Sequence, residues 1–413
     1  MTWVDTRLKH LCVDSGQYGL NISAEKYSSS GVRLIRTSDI ASNGALKAST
    51  TGVFVDVPLE QRHRLLPGDV LLSRSGTLGR SFLVPAEGSG QSFAGFLIRF
   101  RPKDGVDPRF LYYATQSSPF QGVVHSEAVS STIQNFNADR YANIPLRAPG
   151  AEEQRRIADF LDAETARIDH LGNRYRKLMQ LSADRARAVI DHSFSQLSVE
   201  SAVPVSTVCK TIVDCVNKTA PVSHESTPYK MIRTSNIRSG EVDLSDTSSV
   251  ERQVFTEWNR RGAPQYGDVL FTREAPLGQS GMLLTDAPVF LGQRIMLYRA
   301  DETLIKKELL LFNFLSSHMD RQLRVLGAGS LHEHMRVGDG LKLRIYCPPR
   351  AQQEQLTGQI EAGRDSSLRL TDLAKRQLGL LTERRQALIT AAVTGQFNVS
   401  TASGRNVTDG VTA

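Results

Sequence analysis

The sequence is poor in cysteine and has no long apolar run. Its four cysteines include no Cys-x-x-Cys pair, so neither a disulfide framework nor that kind of zinc site is indicated. No stretch of about 18 apolar residues occurs, so a membrane-spanning helix is not predicted. The first residues lack the basic segment and apolar core of an export signal. We therefore expect a cytoplasmic protein with reduced, mostly buried cysteines and no contact with a membrane.

Several catalytic motifs are also missing. There is no Gly-x-x-x-x-Gly-Lys-Ser/Thr loop for an ATP motor, no Gly-x-Gly-x-x-Gly loop for a dinucleotide, and no Asn-Pro-Pro-Tyr or Asp-Pro-Pro-Tyr segment for amino-methyl transfer. Residues 347–350, Cys-Pro-Pro-Arg, are only a superficial likeness of that last motif. The glycine-rich residues 75–79 and 327–330 are typical of turns. We expect no catalytic residues and no cofactor bound by this chain.

The segment His332-Glu333-His334 invites a metal interpretation, which the rest of the sequence does not favour. Ligands two residues apart share a metal only on a strand, and no third ligand follows at a suitable spacing. The equivalent residues in the internal repeat described below, 133–135, contain no histidine. A catalytic metal site should be present in both copies, whereas a loop that reads a sequence is free to vary. We predict no metal site.

What the chain does have is the composition of a folded, mildly basic protein. Of its 413 residues 40% are hydrophobic and 23% are charged, which is typical of globular domains. Lysine and arginine number 50 against 43 acidic residues, a formal charge of +7 with a pI near 9.3. A length of this order predicts two or three domains, and the sign of the charge suits a polyanionic partner.

The most informative feature is an internal repeat. Residues 66–74 match residues 265–273, and the Leu-Gly pairs at 78–79 and 277–278 continue the match at the same offset of 199. Upstream, residues 35–40 match residues 232–237 at an offset of 197. So long a period indicates a duplicated domain rather than a solenoid. Two copies also suit a pseudo-twofold protein that presents two surfaces to two separated sites.

Each copy combines a globular part with a long helix, and together they predict an α+β fold. Residues 1–150 and 198–349 contain short apolar stretches between turn signals, with one helix each at Pro108–Gln116 and Lys307–Leu315. Residues 151–197 and 350–397 lack proline inside them and place apolar residues at helical spacing. Residues 398–413 are rich in small polar residues and are predicted to be a flexible tail.

The two long helices are predicted to pair as an antiparallel coiled coil. The first carries a seam of Ile157, Leu161, Ile168, Leu171, Tyr175 and Leu178, interrupted by Glu164. The second carries Leu356, Ile360, Leu370, Leu373, Leu381 and Leu388, with Gly363 and Ser367 making its seam less regular. Some 45 helical residues span about 65–70 Å, so such a pair separates the globular parts. In the alternative, each helix folds back on its own domain or forms a dimer contact.

Polar residues on loops of both copies are candidates for reading DNA, since arginine, amide and hydroxyl side chains contact bases and phosphates. We expect the two sets to occupy equivalent places. The first set is Arg36, Thr37, Ser38, Arg74, Ser75, Thr77, Gln91, Ser131, Thr132 and Gln134. The second set is Arg233, Thr234, Ser235, Asn236, Arg273, Glu274, Gln293, Arg294, Ser330 and His332.

Residues that persist in both copies and residues that differ suggest different roles. The pairs Arg36/Arg233 and Arg74/Arg273 suit either phosphate contact or an internal ion pair, and both alternatives stay open. The differing pairs Ser75/Glu274, Thr77/Pro276 and Gln134/Glu333 are better candidates for base choice. The Gly-Asp pairs at 68–69 and 267–268 are interpreted as turns before a buried strand.

These features resemble the specificity (S) subunit of type I restriction–modification systems, over nearly the whole chain. The resemblance lies in the two Gly-Asp-Val-Leu strands, in the helix start at residues 149–157 with its echo at 348–356, and in the closing residues 381–396. It implies two target-recognition domains reading the halves of a bipartite double-stranded DNA target. The helices would set the unread gap and dock two methyltransferase (M) subunits. Restriction (R) subunits would complete the assembly, with S-adenosylmethionine, ATP and magnesium on the partners.

Two other classes of function remain as alternatives. The chain could be an enzyme, a methyltransferase or nuclease with unrecognised motifs, which activity of the purified chain alone would establish. It could also be a scaffold or dimerisation protein without sequence reading, which equal affinity for all DNA sequences would favour. Under the main hypothesis, exchanging residues 1–149 should change one half of the target. Inserting whole helical turns before Leu178 should change the gap length.

Overall fold

The structure of the protein, a computed structural model, describes residues 2–41, 44–47, 52–129, 135–198, 201–274, 276–327 and 334–399. The chain divides into two compact units. Unit 1 combines Met1–Arg174 with Gln377–Ala413, and unit 2 is Tyr175–Arg376. Each unit therefore contains one globular copy together with a part of each long helix.

The described residues of the first copy form short strands, as the alternation of apolar stretches and turn signals predicts, together with four helices. Its strands are β1 (Val4–Arg7), β2 (Gln17–Tyr18), β3 (Tyr27–Ser28), β4 (Val32–Ile35), β5 (Val53–Val55), β6 (Val70–Ser73), β7 (Ser81–Leu83), β8 (Ser92–Phe93), β9 (Leu97–Phe100) and β10 (Pro145–Ala148). Its helices are α1 (Leu8–Leu11), α2 (Pro108–Gln116), α3 (Ser118–Val129) and α4 (Ala138–Asn143), and α5 (Ala151–Ser195) follows.

Three small sheets organise the first copy. Their strand orders are β2-β9-β6-β7, β3-β5-β4-β8 and β1-β10, and the pair β4 with β8 is parallel. Strand β6 is buried throughout, and the residue before it, Asp69, is 1% exposed. The Asp69 carboxylate accepts hydrogen bonds from Arg101 at 2.7 and 2.8 Å and from the Leu66 amide at 2.8 Å. The interpretation of Gly-Asp as a turn before a buried strand is confirmed.

The helix predicted in each copy is present with the expected bounds, but it is not alone. Helix α2 begins at Pro108, and its N-cap Asp107 accepts hydrogen bonds from the amides of Arg109 and Phe110. The expectation of a single helix in each globular part is wrong, because α3 follows α2 after Ser117. Its Pro119 lies in the first helical turn. Proline is tolerated there because the backbone N–H that it lacks would have no partner within the helix.

The second copy repeats this plan. Its strands are β11 (Ala202–Pro204), β12 (Cys209–Asp214), β13 (Lys230–Ile232), β14 (Ile237–Arg238), β15 (Gly240–Val242), β16 (Ser248–Ser249), β17 (Val269–Thr272), β18 (Ser280–Met282), β19 (Val289–Leu291), β20 (Ile295–Ala300) and β21 (Arg344–Tyr346). Its helices are α6 (Arg252–Trp258), α7 (Lys307–Leu315), α8 (Ser317–Gly327) and α9 (Val337–Gly340), and α10 (Arg350–Thr394) follows.

The second copy repeats most strand pairings of the first and extends the larger sheet with β15 and β14, which confirms the duplicated α+β fold. Its sheets are β12-β20-β17-β18-β15-β14, β16-β13-β19 and β11-β21, and β13 with β19 is the parallel pair that matches β4 with β8. Asp268 is 1% exposed, and it accepts from Arg299 at 2.7 and 2.8 Å and from the Gln265 amide at 2.7 Å. These are the contacts of Asp69 in the first copy.

Both long helices are fixed at their first turn by a buried glutamine. Gln154 accepts from the Asp107 amide at 3.0 Å and donates to the Pro149 carbonyl at 2.8 Å. Gln353 accepts from the Lys306 amide at 2.9 Å and donates to the Pro348 carbonyl at 2.8 Å. Each glutamine thus ties the start of its long helix to the N-cap of a short helix of the same copy, α2 for Gln154 and α7 for Gln353. This shared contact explains why both helices leave their domains in the same way.

The antiparallel pairing of the helices is confirmed within each unit. In unit 1 the early part of α5 packs against the late part of α10, and Arg385 pairs with Asp169 at 2.8 Å. In unit 2 the late part of α5 packs against the early part of α10, where a Cβ on Gly363 would lie 2.7 Å from Cγ1 of Val189. Val399 is buried in unit 1, so the tail predicted from residue 398 starts no earlier than residue 400, outside the described residues.

The predicted leucine seam is correct toward the helix ends and wrong toward their middle. Ile157, Leu161, Leu356 and Ile360 are buried, but other predicted seam residues are exposed: Leu178, Leu370 and Leu373. In unit 2 the buried residues near the middle include three small ones, Ser182, Ser367 and Ala374, besides Arg364. Small residues let two helices approach closely, which leaves the larger side chains at the flank of the contact. The sequence period alone does not distinguish these two arrangements.

Candidate nucleic-acid interface

Strand β6 ends in an edge that four separate segments build. The Arg74 amide donates to the Phe96 carbonyl at 2.9 Å, and the Phe136 amide donates to the Arg74 carbonyl at 2.9 Å. Ser75 then forms a β-bridge with Asn135. We define the first edge as the set of Tyr18, Arg74, Ser75, Phe96 and Asn135. The backbone hydrogen bonds on both sides of Arg74 hold these residues in neighbouring positions.

The side chains of the first edge leave its arginine partly open to solvent. The Arg74 Nε donates to Asn135 Oδ1 at 3.0 Å, and its guanidinium lies 4.8 Å from the centre of the Tyr18 ring. The Tyr18 hydroxyl accepts from the Ala138 amide at 3.0 Å, which fixes the ring. A ring face attracts the guanidinium without neutralising it, so Arg74 keeps its charge for a ligand.

The second copy has the same backbone frame. The Arg273 amide donates to the Arg294 carbonyl at 2.8 Å, and the Met335 amide donates to the Arg273 carbonyl at 3.0 Å. Glu274 forms a β-bridge with His334, as Ser75 does with Asn135. Asp214 pairs with Met296 on β20 where Tyr18 pairs with Ile98 on β9. The second edge is therefore the set of Asp214, Arg273, Glu274, Arg294 and His334.

The side chains of the second edge are arranged differently. Arg273 is 5% exposed, and it donates to the Met335 carbonyl at 3.2 Å and to the Asp214 carboxylate at 3.1 Å. For this residue the internal ion pair, one of the two alternatives, is the one observed. Glu274 lies between the Arg294 guanidinium at 3.4 Å and the His334 ring at 3.5 Å. The Arg294 side chain is 47% exposed, so Arg294, and not Arg273, is the solvent-exposed arginine of this edge and its open cation.

Arg36 and Arg233 also form internal ion pairs. Both follow a strand of the parallel pair and precede a single 3-10 turn. Arg36 donates to Asp39 at 2.8 and 3.2 Å, and these bonds raise the pKa of the Arg36 guanidinium. Arg233 pairs with Asp246 at 3.3 Å. Of the neighbouring candidates, Thr37, Thr234 and Asn236 are at least partly buried, and Ser38 and Ser235 are exposed.

Gln91 and Gln293 are not equivalent, which corrects the expectation that both sets occupy equivalent places. Gln91 precedes β8, and it donates to the Glu87 carbonyl at 3.1 Å. Gln293 follows β19, beside Arg294. Strands β8 and β19 correspond, because each forms the parallel pair with the strand that precedes Arg36 or Arg233, so these glutamines lie at opposite ends of corresponding strands. The Gln91 position is therefore away from the first edge.

The remaining predicted residues divide into two groups. Thr77 is exposed in the turn after Ser75, and Pro276 occupies the corresponding turn of the second copy. Ser131, Thr132, Gln134, Ser330 and His332, together with Glu333, lie outside the described residues. Both segments end directly before the edge residues Asn135 and His334. The chain thus returns to each edge at the same point.

Sequence reasoning missed five edge residues: Tyr18, Phe96, Asn135, Asp214 and His334. Asn135 and His334 could have been found, since they match at the offset of 199 that aligns the strands. Tyr18 and Asp214 match only at an offset of 196, so a constant offset misses them.

Among the described residues no cluster of histidine, cysteine and acidic side chains could hold a metal ion. No described helix is both long and apolar enough to cross a membrane.

Comparison with known proteins gives one family. Residues 3–179 match the family model described as the type I restriction modification DNA specificity domain. The chain is 28% identical over 258 residues to the type I restriction enzyme EcoKI specificity subunit of Escherichia coli strain K12, covering 58% of this chain and 54% of that protein. It is 28% identical over 165 residues to the StySPI specificity subunit of Salmonella potsdam, covering 38% and 34%.

A solved structure agrees at the level of the fold. A chain from work on complex assembly and conformational transition of the type I R-M system superposes with a TM-score of 0.62 at 16% identity, covering 96% of this chain and 98% of that one. The curated relatives are matched over about half of their length or less, 54% and 34%. The resemblance that the sequence motifs carry is confirmed.

Proposed function

We propose that this chain is a specificity subunit of a type I restriction–modification system and reads a two-part DNA target with one edge for each part. One observation carries the proposal: the two edges share a backbone frame and differ in their side chains. A shared backbone frame places the side chains of both edges against DNA in the same way, and different side chains select different bases. The two halves of the target should therefore differ.

The side chains available at the edges suit base recognition. Arg74 and Asn135 of the first edge are of the types that contact guanine and adenine in the major groove. Arg294 and Glu274 of the second edge are of the types that contact guanine and the cytosine amino group. Buried Arg273 with its partner Asp214 supports the frame instead. The formal charge of +7 favours approach to the phosphate backbone.

The chain would act without chemistry of its own. We assign methyl transfer to two methyltransferase subunits and cleavage to restriction subunits, which bring S-adenosylmethionine, ATP and magnesium. Exposed leucines on the long helices support docking of two similar partners. Leu181 on α5 and Leu380 on α10 occupy equivalent positions of the repeat and are 51% and 55% exposed. Apolar residues so placed on both helices suit one partner for each copy.

The test is an exchange of domains in the assembled complex. Replacing residues 1–149 with those of another specificity subunit should change one half of the sequence methylated in cells and leave the other half intact. Mapping methylated positions genome-wide gives the readout. A change in both halves, or none, would contradict the proposal. Equal affinity of the unaltered complex for all sequences would favour a scaffold that reads no sequence.

A control separates docking from reading. Replacing Leu181 and Leu380 by serine should weaken binding of the methyltransferase subunits, because each substitution removes apolar surface from a partner contact. The methylated sequence, where methylation persists, should be unchanged. Loss of sequence choice with intact assembly would contradict this division of labour between the helices and the edges.

A further inference from the structure

The turn that enters β9 and the turn that enters β20 place one residue at the centre of each edge. The Ala94 amide donates to the Ile35 carbonyl at 2.9 Å, and the Gly292 amide donates to the Ile232 carbonyl at 2.7 Å. Two residues later, Phe96 and Arg294 accept from the amides of the edge arginines. Phe96 and Arg294 are thus structural equivalents, although their offset of 198 differs from that of the edge arginines.

Phe96 is unusually exposed for a large apolar residue. Phe96 is 64% exposed, whereas most large apolar residues of this copy are buried in its core. A solvent-exposed phenylalanine next to an open arginine contributes little to folding. It is available to contact a ligand that has an apolar surface of its own.

Arg294 is held in an unfavourable backbone conformation. Its φ is 70°, and among the described residues other than glycine only Ser239 also has a positive φ. The conformation is fixed on both sides, because the Arg294 amide donates to Cys215 Sγ at 3.1 Å and its carbonyl accepts from Arg273. Such a conformation costs about 1 kcal/mol or more outside glycine. Residues in such conformations cluster at functional sites, which favours a function for the Arg294 side chain.

The position of the open cation differs between the edges. In the first it is Arg74 on the central segment, with Phe96 beside it. In the second the central Arg273 is buried against Asp214, and the cation stands at the position of Phe96. The Arg294 Nε faces Glu274 at 3.4 Å. That contact orients the guanidinium and leaves its two terminal nitrogens for a two-point hydrogen bond.

We propose that positions 96 and 294 determine specificity: Arg294 hydrogen-bonds the O6 and N7 atoms of a guanine, and Phe96 packs on the methyl group of a thymine. These are the base edges that the two side-chain types recognise in the major groove. The inference rests on the proposed function, and it adds which residues choose a base in each half of the target. One half then contains a G·C pair where the other contains a T·A pair at the corresponding position.

Binding-site selection by the complex with its methyltransferase partners tests Arg294. Arg294→Ala should lower the preference for one G·C pair by about 10- to 100-fold and leave the other half-site unchanged. Arg294→Lys keeps the charge but not the two-point geometry, so the same loss is expected. Full retention of specificity by the lysine variant, with weaker salt dependence in the alanine variant, would show a phosphate contact and overturn the guanine assignment.

Two controls guard against misfolding. Arg294→Gly removes the side chain and relaxes the backbone at φ 70°, so it should fold at least as well as the unaltered chain and still lose the G·C preference. Phe96→Ala should relax one T·A pair in the other half-site. Leu66→Ala removes another exposed apolar side chain of the first copy, 42% exposed, and should leave the selected sequence unchanged.

The outcomes distinguish this inference from the proposed function. A bipartite site that stays unchanged in the variants at 96 and 294 would overturn the inference and leave the function standing. Absence of any bipartite site for the unaltered complex would overturn both. Relaxation of a base pair other than the assigned type would refute the guanine or thymine assignment itself.

Discussion

The two edges share one backbone frame, but the equivalent arginines Arg74 and Arg273 lie in different environments. Arg74 lies over the Tyr18 ring and stays partly open, whereas Arg273 is buried with the Asp214 carboxylate. One substitution at an equivalent strand position, tyrosine against aspartate, accounts for this difference. A carboxylate neutralises and sequesters the guanidinium, and a ring does not. An arginine found in both copies therefore has two roles.

Some contacts away from the edges are the same in both copies. Asp69–Arg101 and Asp268–Arg299 have the same geometry. The start of α3 meets α10 through the Ser118 amide and Thr390 Oγ1 at 2.9 Å, and the start of α8 meets α5 through the Ser317 amide and Asp191 Oδ1 at 2.8 Å. These four residues match at the offset of the repeat. The copies preserve their internal frame and differ at their polar edges.

The largest expected effect tests the shared frame. Asp69→Asn and Asp268→Asn should each destabilise their own unit by about 3 kcal/mol, because each replaces a buried carboxylate that accepts three hydrogen bonds, two of them from an arginine. Hydrogen–deuterium exchange resolved along the chain measures each unit separately. The exposed pair Asp5–Arg147 supplies a control, in which Asp5→Asn should cost less than about 1 kcal/mol. A large effect in only one copy would break the equivalence of the frames.

The next effect separates the two arginines. Arg273→Met should destabilise unit 2 by about 2 kcal/mol, since the Met335 carbonyl loses its side-chain donor and Asp214 keeps only the longer contact with Arg261 at 3.6 Å. Arg74→Met should cost about 1 kcal/mol or less in unit 1 and weaken DNA binding instead. Exchange protection and DNA titration give the two readouts. Equal stability losses would show that the arginines do not differ in role.

A third prediction concerns the helix contact in unit 2. Gly363→Ala should destabilise it by about 1–2 kcal/mol, because the added Cβ would lie 2.7 Å from Cγ1 of the stiff Val189 side chain. Gly358→Ala on the same helix has open space, so it should stabilise by about 0.5–1 kcal/mol. Adding Val189→Ala should partly rescue the first variant. Failure of that rescue would place the strain elsewhere.

The smallest effect is a pH dependence confined to the second copy. The pKa of His318 is lowered mainly by burial and to a smaller extent by the positive charge of Arg321. The centre of the His318 ring lies 4.8 Å from the centre of the Tyr346 ring. The unfolded chain then binds the proton more readily than the folded unit, so stability falls as the pH drops through the ordinary histidine pKa of about 6.5. His318→Gln should flatten that decline for unit 2. An unchanged slope in urea titrations from neutral to mildly acidic pH would contradict the assignment.

Much of the fold follows from the sequence because it rests on periodic and repeated signals. The offset of 199 identifies the duplication, and the absence of proline after residue 149 identifies α5. Asp69 and Asp268 were correctly interpreted as turn residues since their spacing to the buried strand is local. The bounds of α2 and α7 were found for the same reason.

What the sequence could not provide depends on contacts between distant segments. Whether Arg74 and Arg273 are open or buried depends on Tyr18 and Asp214, more than fifty residues away in each case. Gln91 and Gln293 were paired by residue type, but insertions between the copies move them to opposite strand ends. Exposure of Leu373 follows from the close approach of helices at small residues, which apolar spacing does not encode.

Binding-site selection with the unaltered complex of this chain and its methyltransferase partners tests the central claim most directly. Two edges with one frame and different side chains predict two different specified blocks, separated by an unspecified gap of fixed length. A single continuous block, two identical inverted blocks, or no preference among sequences would contradict the account.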